Sequence, residues 1–257
     1  MRAEILFGPP GCGKTRRAEM AALPEHDPTG QGRRAALVFY QCHAWSDADE
    51  LFVGVDVAAA VAGDAKSVRQ DGVLTRAARL SHEGRVVLVL DELDKAPERV
   101  EALLLDYLQS GRAPVAPGRH VQADLDNMEV YITSNNLRPL GDALLRRCRR
   151  RWMTPLSAEQ VERIAAERVP HAPRSVLMTL RKAAWAVAAA EGRDHVTVAE
   201  LTPMLEEVLE ASSIGDVRDA LAGWAARTEQ GAEYALRARE AAPVWAEVVA
   251  ARRKGEM

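Results

Sequence analysis

Gly8-Pro9-Pro10-Gly11-Cys12-Gly13-Lys14-Thr15 spells a complete G-x-x-x-x-G-K-[ST] phosphate-binding loop, placed directly after the apolar run 3–7 and before a helix-like segment. The glycines let the backbone fold into a concave nest whose N–H groups point at phosphate oxygens. The following helix N-terminus adds its positive end, and Lys14 supplies a mobile cation for the β- and γ-phosphates. Thr15 offers its hydroxyl to Mg²⁺. The expected ligand is therefore a nucleoside triphosphate. Cys12 fills a variable position of the loop that calls for a small side chain.

Outward from the loop, residues 35–40, 86–90 and 128–133 have the length and β-branched content of buried strands. Between them, residues 14–23, 73–82 and 97–109 have helical patterns, the last opening on Pro97 and stopping at Gly111. Alternating strands and helices predict an α/β fold with a mostly parallel sheet covered on both faces. In such a sheet ligands gather at the carboxyl ends of the strands. After Pro155 the pattern becomes all helical, over 157–168, 173–191, 198–210, 216–229 and 232–253. The expected organisation is a nucleotide-binding α/β domain over 1–155, an all-α domain over 156–215 and a helical extension over 216–257.

The bulk numbers narrow the function classes. A chain of 257 residues can bury a sizeable core without staples. Its net charge of -3 gives no general attraction for polyanions, which counts against a dedicated nucleic-acid binder. Cys12, Cys42 and Cys148 are odd in number and lack metal-ligand spacing, so they read as reduced cytosolic thiols. Residues 2–20 hold the phosphate loop and several charges instead of a signal peptide, and no run approaches 18 apolar residues. A cytoplasmic protein with no membrane span is expected.

The run 86–90 ends in Asp91-Glu92. Two adjacent carboxylates at the end of a buried strand repel each other unless a cation is bound there, and a Mg-nucleotide supplies that charge. Asp91 is then the group that orients Mg²⁺, and Glu92 the one that takes a proton from the water attacking the γ-phosphate.

Over about residues 3–205 these features resemble the AAA+ ATPases. The phosphate loop looks like Walker A and Asp91-Glu92 like Walker B, which implies a P-loop core with a five-stranded parallel sheet, an all-α lid, and ATP with Mg²⁺ as ligands. Ile132-Thr133-Ser134-Asn135-Asn136 closes the next strand as the family's sensor 1 does, so Asn135 is the residue expected to hold the lytic water or the γ-phosphate. Asp142 through Cys148 resembles the helix that ends in an arginine finger, with Arg147 the closest match and Arg146 the alternate. The following Arg149, Arg150 and Arg151 read as a solvated basic edge.

The lid narrows the resemblance to the MoxR-like branch, with its CbbQ-type and McrB-like relatives. Ala172-Pro173-Arg174-Ser175, followed by a long helix and Gly192-Arg193-Asp194-His195-Val196-Thr197, matches that branch's lid, where Arg174 is the sensor 2 arginine. The stretch from Gln41 to Leu74 matches its substrate-facing insertions, and Gln41 or His43 is a candidate polar switch on Glu92. Met1 lies almost on the first strand, so the segment that commonly helps enclose the adenine is expected to be missing. The resemblance implies a homo-oligomeric ring, a hexamer, that remodels a protein client, in partnership with a von Willebrand factor A domain protein. A nucleic-acid translocase or loader, and an assembly protein gated by nucleotide with little turnover, are the alternatives.

Overall fold

The near-continuous apolar runs become neighbouring strands of one sheet because both of its faces are covered, which leaves no face for polar alternation. The computed structural model describes residues 1–55, 61 and 69–256. Its chain divides into two compact units, Met1–Thr154 and Pro155–Met257.

The first unit contains β1 (Arg2–Phe7), α1 (Lys14–Met20), β2 (Ala36–Gln41), α2 (Ala48–Leu51), β3 (Val53–Val55), β4 (Arg69–Asp71), α3 (Val73–Leu80), β5 (Val86–Asp91), α4 (Glu98–Ser110), β6 (Arg112–Ala116), β7 (Arg119–Gln122), β8 (Met128–Ser134), α5 (Asp142–Leu145) and β9 (Arg149–Trp152). Five strands form a parallel sheet in the order β2-β5-β8-β1-β9. Every residue of central β5 is buried. One face packs Ile5, Val38, Leu88 and Ile132 against α3 and α4, while the other packs Leu6, Val87 and Val89 against α1. Burial stabilises each such side chain by about 1.5–3 kcal/mol relative to exposure.

The solvated basic edge read at Arg149, Arg150 and Arg151 is the fifth strand, with Arg149 and Arg150 exposed. They form β9, an edge strand paired only with β1. Three consecutive arginines are tolerated there because an edge strand can point long side chains to solvent, and Arg151 is drawn inward by an ion pair with Glu4. Two short antiparallel hairpins, β3–β4 and β6–β7, add to the sheet-bearing unit. Part of the insertion between Gln41 and Leu74 lies outside the described residues.

The second unit contains α6 (Ala158–Arg168), α7 (Arg174–Ala190), α8 (Val198–Glu210), α9 (Ile214–Ala220), α10 (Glu229–Arg237) and α11 (Ala241–Lys254). Capping boxes start three of them: Ser157 with Gln160, Thr197 with Glu200, and Ser213 with Asp216. One apolar core runs from Val161 to Ala251, and the small residues Ala183, Ala184 and Ala188 let α7 approach its neighbours closely. The expected helices 216–229 and 232–253 are broken differently. α9 continues as a π turn, Leu221–Ala225, and Thr228 caps α10 through the amide of Gly231. Ala238 then turns the chain before α11.

No helix among the described residues is long and apolar enough to cross a membrane. The three cysteines are unpaired and buried.

Candidate nucleotide-binding site

The carboxyl ends of β1, β2, β5 and β8 bring the phosphate loop, Gln41, Asp91-Glu92 and Ser134-Asn135 to one edge of the sheet. Two glycines of the loop are required by geometry. At Gly8, φ is 156° and a Cβ would stand 2.5 Å from the Met153 carbonyl oxygen, which leaves no room for any other residue. At Gly13, φ is 87°, a left-handed turn that aims the first amides of α1 into the loop. Pro9, Pro10, Gly11 and Cys12 complete the arch, with Gly11 also left-handed and Cys12 buried.

Lys14 is only 6% exposed. Its ammonium donates to the carbonyl oxygens of Gly8 at 2.7 Å and Pro9 at 2.9 Å, the partners a buried cation needs. These are neutral acceptors, so an anionic phosphate would draw the ammonium away from them.

Asp91 ends β5, and the register Leu90↔Ile132 puts it beside Thr133 of β8. Both Thr15 Oγ1 and Thr133 Oγ1 donate to its Oδ1 at 2.7 Å, and Oδ2 accepts no hydrogen bond among the described residues. A hydroxyl and a carboxylate with one open oxygen are hard donors that fit Mg²⁺, which keeps most of its waters. Behind them, burial and then the charges of Asp91 and Asp94 push the Cys42 thiol up to about 12, so it is inert.

Glu92 adopts φ 55° and ψ 49°, a left-handed backbone that a non-glycine residue keeps only when its surroundings impose it. Its amide donates to Thr133 Oγ1 at 2.8 Å. Gln41 Nε2 donates to Oε2 at 2.8 Å and Asn135 Nδ2 donates to Oε1 at 2.7 Å. Lys95 Nζ lies 2.5 Å from Oε2. Partial burial pushes this carboxyl upward, but the hydrogen bonds from Lys95 and Asn135 and the charges of Lys95 and Lys14 outweigh it. The net result is below the ordinary carboxylate range. His43, the other switch candidate, pairs instead with Glu50 at 3.4 Å.

Asp94 explains why Asn135 sits where it does. Its Oδ2 accepts from the amides of Asn135 at 3.0 Å and Leu137 at 2.8 Å, fixing the turn after β8. Its Oδ1 is buried with no partner among the described residues, so the turn is held from one side only.

The arginines differ in placement. Arg147 is exposed, and its guanidinium is folded back onto its own chain, on Ala143 O at 2.9 Å and Gln109 Oε1 at 3.1 Å. Arg146 is exposed, and its side chain makes no hydrogen bond or ion pair among the described residues. Arg174 opens α7 of the helical unit and is likewise exposed.

The sheet thus assembles Lys14, Thr15, Asp91, Glu92 and Asn135 with Gln41. Sequence reasoning missed Thr133, Asp94 and Lys95. Thr133 had a readable signal, since a hydroxyl at the end of a buried strand next to an acid-ended strand finds that acid. Lys95 had one also, because it stands three residues after Glu92, one short turn away.

Comparisons with known proteins bear on the family and the fold. A model of the AAA domain, dynein-related subfamily, matches residues 4–151. The chain is 37% identical over 62 residues to von Willebrand factor A domain-containing protein 8 of Mus musculus, a match covering 24% of this chain and 3% of that protein. Among solved structures, a closed-state Hsp104 with ATPγS and casein superposes with a TM-score of 0.55 at 18% identity, over 81% of this chain and 40% of that one. NtrX from Brucella abortus, in complex with ATP, gives 0.52 at 16% identity, over 80% and 46%. The chain spans less than half the length of each, and at these identities the likeness concerns the fold. With its P-loop, parallel five-stranded sheet and family match over more than half its length, this chain belongs to the AAA family, in the dynein-related subfamily.

Proposed function

We propose that this protein is an ATPase of the MoxR-like branch that hydrolyses ATP with Mg²⁺ in an oligomeric ring, a hexamer, and uses the cycle to remodel or activate a protein client. The observation that carries the reading is the Glu92 carboxylate, held by Gln41 and Asn135 at the strand ends that also present Lys14, Thr15 and Asp91. An acid held by oriented donors beside a phosphate loop is arranged to receive a proton from a water aimed at a terminal phosphate.

In this account the loop from Gly8 to Gly13 cradles the phosphates and Lys14 turns from its carbonyl partners to them. Thr15 and Asp91 would hold Mg²⁺, which when bound neutralises charge on the β- and γ-phosphates. Asn135 orients the attacking water and Glu92 accepts its proton. Arg147, with Arg146 as alternate, acts on a neighbouring subunit's nucleotide, and Arg174 couples the lid to the nucleotide of its own subunit. Gln41 is the polar switch: its hold on Glu92 is relaxed when a client or partner engages the insertion that follows β2. Residues 1–155 are the nucleotide-binding domain, 156–215 the lid and 216–257 an extension that serves docking. The match to a protein with a von Willebrand factor A domain supports a partner of that kind. Cytoplasmic placement completes the proposal.

The test is steady-state phosphate release. Glu92→Gln should lower turnover by ~10²-fold or more while binding ATP as well as the wild type. Stimulation by DNA or RNA, and not by protein clients, would favour a nucleic-acid machine instead. ATP-driven assembly with a negligible rate that Glu92→Gln leaves unchanged would favour an assembly protein.

A further inference from the structure

Lys95 is the last residue of the short 3₁₀ turn Leu93–Lys95 that follows the left-handed Glu92. Its amide donates to the Glu92 carbonyl at 2.9 Å, closing the turn, and its ammonium comes back over the turn to Glu92 Oε2 at 2.5 Å. Among the described residues it makes no other ion pair or side-chain hydrogen bond. Gln41 already donates to that same oxygen, and Asn135 to the other.

A carboxylate has about four lone-pair positions, and here three are filled. Gln41 and Asn135 are neutral amides at strand ends, which fix direction. Lys95 adds a full charge and the shortest contact, on a flexible stem that is 46% exposed. An ordinary surface ion pair of this exposure contributes little to stability, so holding the fold together is a weak reason for its presence. Its consequence for Glu92 is larger, because a base tied to an ammonium must break that tie before its oxygen can turn to a water.

We infer that Lys95 is a positioning residue that restrains the Glu92 carboxylate, so that basal ATP turnover is slower than the site alone would allow. This rests on the hydrolysis reading above. Lys95 touches neither the phosphate loop nor Asp91 among the described contacts, so it acts on the rate and not on nucleotide affinity.

The experiment compares kcat and KM for ATP in the full-length wild type, Lys95→Met, Lys95→Arg, Glu92→Gln and the double variant Lys95→Met/Glu92→Gln. Lys95→Met should raise basal kcat by ~5-fold, the rate equivalent of a half-exposed ion pair, with KM unchanged. Lys95→Arg should stay near the wild-type rate, because it restores the cation. In the Glu92→Gln background Lys95→Met should add nothing. Lys95→Gln replaces Lys95→Met if the latter does not fold by circular dichroism, with the same expectation. Glu92-dependent hydrolysis in the wild type with Lys95→Met equal or slower, or altered only in KM, overturns the restraint and leaves the ATPase reading intact. Absence of Glu92-dependent hydrolysis in both the wild type and Lys95→Met overturns both.

Discussion

Replacing Gly231 by alanine sets helix propensity against packing. Gly231 lies in the first turn of α10, where alanine alone should stabilise by about 1 kcal/mol. A Cβ there, however, would lie 2.0 Å from Glu191 Oε1. That oxygen cannot step aside freely. It accepts from the amide of Arg227 at 2.8 Å, the amide of Thr228 at 2.7 Å and the Thr228 hydroxyl at 2.7 Å, while Arg193 Nε holds Oε2 at 2.8 Å. Moving it breaks three hydrogen bonds to a charged acceptor at about 1.5 kcal/mol each, so the net loss is about 3.5 kcal/mol after the propensity gain. The same hydrogen bonds set the protonation of the carboxyl. Burial pushes the Glu191 carboxyl up, but the Thr228 hydroxyl, the Arg227 amide, the Arg193 guanidinium and the Thr228 amide bring it from 4.5 down to about 2. The lowering and the hydrogen bonds are therefore one and the same stabilisation. Because the folded value is the depressed one, this stability is complete above about pH 4.5 and is lost as pH falls toward 2. Thermal unfolding of the full chain, followed by circular dichroism at pH 7, should show the helical transition of Gly231→Ala lowered by ~12 °C or more. Its stability should also fall less than the wild type's between pH 4.5 and 2. A Gly231→Ala midpoint at or above the wild type's would mean that the Glu191 oxygen yields to the methyl without cost.

Gly8→Ala should abolish nucleotide binding measured by a fluorescent ATP analogue, since the methyl would meet the backbone of Met153. Asp94→Ala should leave that binding within about twofold but lower kcat by ~10-fold or more, because Asn135 loses the anchor of its amide. Arg147→Ala should spare binding and lower turnover by ~10³-fold if it is the finger. An effect of that size from Arg146→Ala, with Arg147→Ala mild, would transfer the role to the arginine that has no tether of its own.

The strands that carry the site were legible because they are buried on both faces: an unbroken run such as Val86 to Leu90 has few other destinations. The phosphate loop was legible because its glycines answer to steric limits that no other residue meets. β9 was not, since an edge strand paired on one side can be written almost wholly in arginine. The helices after Ile214 were misdivided for a related reason. Alanine-rich sequence favours helix everywhere, and the breaks come from Thr228 capping and from Glu191, a residue outside that segment. In the site, Gln41 was a candidate from its position at a strand end, and the parallel register with Asp91 brings it to Glu92. Asp94 was not legible because its partners, the amides of Asn135 and Leu137, follow another strand, whereas the three-residue spacing of Lys95 from Glu92 was a signal open to reading.

In the proposed cycle Glu92 is the base of ATP hydrolysis and the phosphates rest on Lys14. Phosphate release by the wild type, Glu92→Gln and Lys14→Ala, measured beside equilibrium ATP binding with Mg²⁺, tests it most directly. The expected results are wild-type hydrolysis, a Glu92→Gln protein that binds ATP and scarcely turns it over, and a Lys14→Ala protein that does not bind. Equal hydrolysis by the wild type and Glu92→Gln would contradict that role of Glu92.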